Sequence, residues 1–390
     1  MNRSARIAVV CATAAAFLLV TVGSASAGLE SGKGKRVDQF VEQTAAKYDL
    51  PATIYGVWKN GREVTTGAIG EAQPGIPLTT DDHFKVGNVG ESMTVTLLMQ
   101  FVKQGLISLD DPITKWFPNL CVGTPPCKRE RITVGQLANS TSGLVHYAAA
   151  DDFAEELFKN PFRKWKLPEV TEYGLERDPL FAPGTSWAFS DTNFLLLGQI
   201  LRKVGEAPVP RLLRENITGP LNLEETSMRA DTYTPPPVMH AYANDRGFYE
   251  DQTAWTLNWI RGAGNVISTV DDMGVWAQAL GKGSLVSKKL HALQTGDQNV
   301  GLGTNTAEYH YSMGSGVTHG WLFNNPHIMG YKGYVSYLPG EDVAIVVFAT
   351  DPPGVDASTR FDGEIYDGIG EIMVPEQPPL ACLRVPCPTS

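Results

Sequence analysis

The segment VGNVGESMTV, Val86–Val95, brings a carboxamide, a carboxylate and a hydroxyl together at the entrance to an apolar run. Asn88 and Glu91 are three residues apart, so on a helix they share a face. As a helix start they form an N-x-x-E capping box, each side chain closing on the other's backbone N–H. The Glu91 charge also suits the positive end of a helix dipole. As chemistry, a carboxamide offers hydrogen bonds but no nucleophile. Ser92, the nearest hydroxyl, adjoins Glu91 and is rotated from it by roughly 100°, away from the face the other two share. The histidines His83, His146, His240, His291, His310 and His319 show no metal-ligand spacing and read as surface or structural residues. No metal and no cofactor is expected.

Positioning these groups takes a folded body of some size. Of 390 residues, the first 27 read as a secretory signal: Arg3 and Arg6, an apolar Ile7–Val22, and a cleavage site at Ala25-Ser26-Ala27. The apolar stretch is short for a membrane span, which needs about 20 residues, and no second one follows. The product is expected to be secreted, extracellular or wall-associated, with no membrane attachment after cleavage. The formal charge of −10 becomes −12 without Arg3 and Arg6, which argues against nucleic acid as a partner. Four cysteines follow the cleavage site in two close pairs, Cys121 with Cys127 and Cys382 with Cys387. In an exported chain they suggest two local disulfides. The C-x5-C and C-x4-C spacings lack the paired histidine of a zinc site.

Helical periodicity covers Lys35–Leu50, Ser92–Gly105, Asp271–Ala279 and Glu364–Met373. ATIYGVWKNGREVTTGAIG is a hairpin turning at Asn60-Gly61, and GYVSYLPGEDVAIVVFAT a second turning at Pro339-Gly340. Between them, Ile107–Glu250 is mostly helix and loop. Strands from both ends of the chain must therefore share one sheet, with the helical middle inserted as a second lobe. The expected organisation is a signal over 1–27, one domain over 28–374 and a Pro- and Cys-containing tail over 375–390. Within the domain, 28–95 and 255–374 form an α/β lobe and 96–254 a helical lobe.

Six segments then carry a family resemblance, in order along nearly the whole mature chain. FKVGNVGESMTVTLLMQFVKQGLISLDDPITKWFP resembles the segment built around S-x-x-K, and ITVGQLANSTSGL the stretch ending in T-S-G-L. FAPGTSWAFSDTNFLLLGQIL is similar to the Y-x-N region and GPLNLEETSM to P-L-G-L-x-x-T. RGAGNVISTVDDMGVWAQAL looks like the G-G-x-x-S-T-x-x-D helix, and PHIMGYKGYVSYLPGEDVAIVVF resembles the strand bearing K-T-G or H-x-G. The chain thus resembles the serine β-lactamase and D-alanyl-D-alanine carboxypeptidase family, on the class C and esterase side. The resemblance implies an α+β fold: an antiparallel sheet flanked by terminal helices, a helical lobe, and a ligand cleft between them.

It also implies that the catalytic groups are replaced. The family nucleophile, a serine activated by a lysine three residues on, falls on Asn88 and the lysine on Glu91. The tyrosine falls on Phe189, which has no hydroxyl, and the asparagine after it on Asp191. His327 fits the H-x-G histidine, while the glycine after it is Met329, which would crowd the strand edge. The cleft is expected to include Asn88, Glu91, Asp191, His327 and Tyr331. Trp187, Trp321 and Tyr331 lie near the motifs and read as packing rather than a ligand platform. The leading expectation is a secreted protein without acyl transfer, acting in binding or regulation on a small peptide or ester-like ligand. Family analogy would make that ligand peptidoglycan-derived. One alternative is an esterase, amidase or peptidase with rearranged residues, including a Glu91 and Asp191 general acid–base pair. The other is a structural or interaction scaffold.

Overall fold

The computed structural model describes residues 32–124, 126, 131–229, 231–355 and 359–381. The signal segment, the tail beyond 381 and Cys127, Cys382 and Cys387 lie outside them, so both cysteine pairings do too.

A helix over 32–47, α1, leads into strand β1 (Ala52–Lys59) and its hairpin partner β2 (Arg62–Gln73). Asn60 and Gly61 turn it at φ +53° and +74°, the left-handed pair that a two-residue hairpin turn requires. Ile76–Pro77 (β3) extends that edge. The remaining strands come from the C-terminal part: Tyr309–Tyr311 (β4), Gly316–Thr318 (β5), Trp321–Asn324 (β6), His327–Ile328 (β7), Tyr331–Leu338 (β8) and Val343–Thr350 (β9). Together they make one nine-stranded sheet in the order β3-β2-β1-β9-β8-β6-β5-β4, with β7 beside β8. The ladders of this sheet are antiparallel, and β1 pairs β9 with Gly56 opposite Val346.

The central strands read as continuous apolar runs because both faces are covered. Along β9, Ile345, Val347 and Ala349 pack toward α1 and the last helix, α5 (Phe361–Met373). Ala344, Val346 and Phe348 join the opposite core, as the two-residue period demands. That core includes Met273 and Trp276 of α4 (Val270–Lys282) and Met93 and Leu97 of α2 (Val89–Lys103). Beyond it lies the helical part, with α3 (Asp191–Val204) at its centre. The fold is α+β, an antiparallel sheet with terminal helices on one face and a helical lobe beyond the other.

Helix α2 begins three residues before its expected start. It is buried on nearly every side, so apolar residues recur all round it and no single stripe marks its first turn. A small sheet of Phe84–Lys85, Val266–Ser268 and Ser227–Met228 delivers the chain to Gly87. Gly87 turns there at φ +43°, and a Cβ on it would come within 2.8 Å of Pro326. The close packing of the loops before β7 against this turn sets where the helix starts.

Candidate functional site

A cavity of about 250 Å³ opens at the first turn of α2. Asn88, Asp191 and His327 line it, with Phe189 and Met329 beside them. Glu91 lies one turn deeper and has no exposed surface. Tyr331 is placed elsewhere than expected: it is fully buried, and its hydroxyl donates to the Met239 carbonyl at 2.6 Å. Trp187 lines a smaller hollow across Phe189, and Trp321 is core, donating Nε1 to the Gln377 carbonyl.

The capping box does not form. Asn88 has φ −64° and ψ −1°, already helical, and its side chain caps nothing. An N-cap residue needs an extended backbone for its side chain to reach the next turn, and Gly87 makes the bend instead. Asn88 Oδ1 is buried without a hydrogen-bond partner, while its carbonyl accepts from Asn324 Nδ2 at 3.1 Å. Asn88→Ala is therefore expected to shift stability by less than about 0.5 kcal/mol, against about 0.5–2 for a lost cap. A loss above 1 kcal/mol in urea unfolding would give the amide a structural duty.

Glu91 turns to a different set of partners. Tyr311, from the far end of the sheet, donates its hydroxyl to Glu91 Oε2 at 3.0 Å, and Asp191 is within hydrogen-bonding reach. Burial foremost, then the charge and hydrogen bonding of Asp191, push the Glu91 carboxyl well above its ordinary range; the Tyr311 bond pulls only weakly the other way. Two adjacent carboxyl groups resolve their repulsion by sharing one proton. Glu91 keeps its proton beside Asp191, its Oε1 buried without a hydrogen-bond partner, where the family pattern has a lysine cation. Tyr311 stays a neutral donor, its own ionisation held well up by burial and by Glu91.

Asp191 opens α3, and its backbone N–H donates to His146 Nδ1 at 3.2 Å. The imidazole acceptor thus faces the helix start, with Asp191 Oδ2 at 3.8 Å. His146 lines the cavity and meets Phe189 edge-on, ring centroids 5.3 Å apart. His327 is anchored away from the other groups: Nε2 lies 3.0 Å from Asp362 Oδ2. Burial alone would raise Asp362, but His327 and Arg360 hold it down to about 2. Met329 keeps φ +48° where the family pattern has glycine, and its side chain borders the cavity.

The nucleophile candidates can now be placed. Ser92 is fully buried, donating Oγ to the Val89 carbonyl at 2.7 Å and accepting from Trp276 Nε1 at 3.2 Å. Lys85, three residues before Asn88, is buried to the point that its amine is lowered to about 7. It donates to the carbonyls of Gln252 and Trp255, at 3.1 and 3.2 Å, and lines no part of the cavity. Among the described residues, the cavity wall contains no serine, threonine, cysteine, lysine or tyrosine. Apolar surface comes from residues such as Phe153, Phe158 and Phe189, and polar atoms from Asn88, His146, Asp191, Asp245, Trp259, Asn325 and His327. Sequence reasoning missed Tyr311 and His146. Both reach the site through tertiary contacts that leave no local spacing signal.

Comparisons with known proteins agree with this architecture. Residues 37–364 match the Beta-lactamase family. The D-alanyl-D-alanine-carboxypeptidase/endopeptidase AmpH of Escherichia coli (strain K12) is 26% identical over 337 residues, covering 80% of this chain and 82% of that protein. A D-stereospecific amidohydrolase from Streptomyces sp. superposes with TM-score 0.72 at 24% identity, over 81% of this chain and 94% of the other. The D-amino acid amidase from Ochrobactrum anthropi SV3, complexed with L-phenylalanine, gives TM-score 0.71 at 20% identity, over 85% and 95%.

Proposed function

We propose, from the premise that the chain belongs to the beta-lactamase family, that it has kept the family cleft for binding and given up acyl transfer. The observation that carries this is the cavity wall: no hydroxyl, thiol or amine side chain lines it among the described residues. Acyl transfer of the serine type needs such a group next to a base. Asn88 and a protonated Glu91 supply neither.

The ligand we propose is small and amide- or amino-acid-like. Asn88 Oδ1 and Trp259 Nε1 are buried at the cavity without partners, an acceptor and a donor that an amide group would satisfy. Asp191 and Asp245 suit an ammonium, and the phenylalanine rings an apolar side chain. Three structural neighbours are D-amino acid amidase complexes with phenylalanine or its amide. A peptidoglycan-derived source, export directed by the segment ending at Ala27, and a regulatory role for binding are further parts of this proposal.

The test is covalent. A fluorescent penicillin and a fluorophosphonate probe should leave no adduct on the purified protein, while D-phenylalanine amide should bind reversibly by calorimetry. Stoichiometric labelling of any cleft residue in a peptide map overturns the reading.

A second reading is favoured by the Glu91 and Asp191 pair itself. Carboxyl groups sharing one proton can serve as general acid and general base toward a bound water. It requires turnover of an amide or ester that Glu91→Gln and Asp191→Asn each abolish.

A further inference from the structure

The loop from Trp259 to Gly262 has two sides. Trp259 and Ile260 border the cleft, whereas Arg261 and Gly262 line a separate cavity of about 490 Å³ behind it. One wall is a single face of α3: Leu195, Gly198, Gln199 and Arg202 lie at steps of three, one and three, the helical neighbour pattern. Val209 and Met228 add apolar surface.

Its charges are unbalanced. Arg261 buries Nε without a hydrogen-bond partner, and neither Arg261 nor Arg202 forms an ion pair among the described residues. A guanidinium stays charged at any working pH, and a half-buried one without a counter-charge is costly. The neutral polar groups nearby are already occupied. Gln199 donates to Thr171 Oγ1 and the Leu195 carbonyl, and Asn265 accepts from Gly262 N and donates to the Arg229 carbonyl. No aspartate or glutamate lines the cavity. Two forked cations against an apolar wall match a ligand with an oxyanion head and an apolar tail, of a size within the usual range for small-molecule sites.

We propose that this cavity is a second binding site, for a single-tailed anionic amphiphile whose head meets Arg261 and Arg202. The assignment is independent of what the cleft binds. Carboxylate and phosphate heads both fit a guanidinium fork, so the shared chemistry is the oxyanion on an alkyl chain.

Calorimetry on the full chain with decanoate and decyl phosphate, both below their micellar concentrations, tests it. At least one should bind, and the tighter of the two identifies the head group. Decanol and acetate should bind at least tenfold more weakly, because each lacks one half of the match. Arg261→Gln and the surface variant Arg202→Gln should each weaken binding about tenfold or more, and Asp191→Asn in the cleft should leave it unchanged. Arg261→Gln should melt no lower than the unmodified protein in the absence of ligand, since it removes an uncompensated buried charge. The proposal is overturned if neither amphiphile binds, if decanol binds as well as they do, or if a folded Arg261→Gln or Arg202→Gln protein keeps full affinity. Loss of binding in Asp191→Asn would also overturn it, by placing the amphiphile in the cleft.

Discussion

Glu91→Gln is expected to stabilise the protein by a margin that widens as the pH rises, by about 1.4 kcal/mol per pH unit. In the folded state Glu91 is buried against Asp191 and keeps its proton well above the ordinary glutamate value of 4.5. In the unfolded chain it releases that proton near 4.5. Between the two values the native state binds the extra proton, so the stability of the unmodified protein falls with rising pH. Below about 4.5 both states are protonated and the contribution is fully present; it is exhausted once the pH passes the raised folded value. Glutamine is neutral like the protonated acid, can accept from Tyr311 as Glu91 does, and has no proton to lose. Urea unfolding of both proteins at pH 5, 6, 7 and 8 measures the gap. Asp191→Asn should make the fall end at a lower pH, because it removes a neighbouring charge that raises Glu91. Parallel stability curves for the unmodified protein and Glu91→Gln would mean that no proton is held there, and the reversed electrostatics of the cleft would fail as a description.

The parts of this molecule legible in the sequence are those whose signal is local or repeated. The turn at Asn60-Gly61 demands left-handed backbone, and the apolar runs of β1 and β9 demand cover on both faces; each could be read from a few neighbouring residues. The register that places Asn88, Phe189, Asp191 and His327 rests on six segments in order, and all four line one cavity. What failed has a common cause. The capping box was inferred from residue types three apart, but Gly87 takes the bend and leaves Asn88 helical. Tyr331 stands close in sequence to His327, yet as a β8 residue it points toward the Met239 carbonyl. Tyr311 is 220 residues from Glu91, and His146 takes its place by accepting from the first N–H of α3. Such contacts are chosen by tertiary packing, and a single sequence carries no periodicity that announces them.

Restoring the missing groups together should restore chemistry that no single change does. Asn88→Ser, Glu91→Lys and Phe189→Tyr in one protein are expected to hydrolyse a small activated ester at least about 100-fold faster than any of the three single variants, the scale of a positioned proton transfer. A serine at 88 alone faces a protonated acid and stays a weak nucleophile. A lysine at 91 alone is tolerated, since Asp191 and the Tyr311 oxygen can receive its ammonium, but it has nothing to activate. Tyrosine at 189 adds a hydroxyl to a cavity-lining ring whose centroid lies 6.3 Å from that of Tyr311, again without a partner unless the other two are present. Groups that act as a unit are far from additive, so the triple variant is the informative one. Met329→Gly should raise its rate further. It removes a side chain from the cavity wall and relieves a non-glycine residue at φ +48°, a conformation worth roughly 1–2 kcal/mol of strain. Steady-state ester hydrolysis with purified, folded variants decides the matter. Silence from the folded quadruple variant would show that the backbone has drifted beyond catalytic geometry, leaving a cleft fit only to bind. Turnover by the unmodified protein, lost in Glu91→Gln and in Asp191→Asn, would instead make the carboxyl pair the working acid and base.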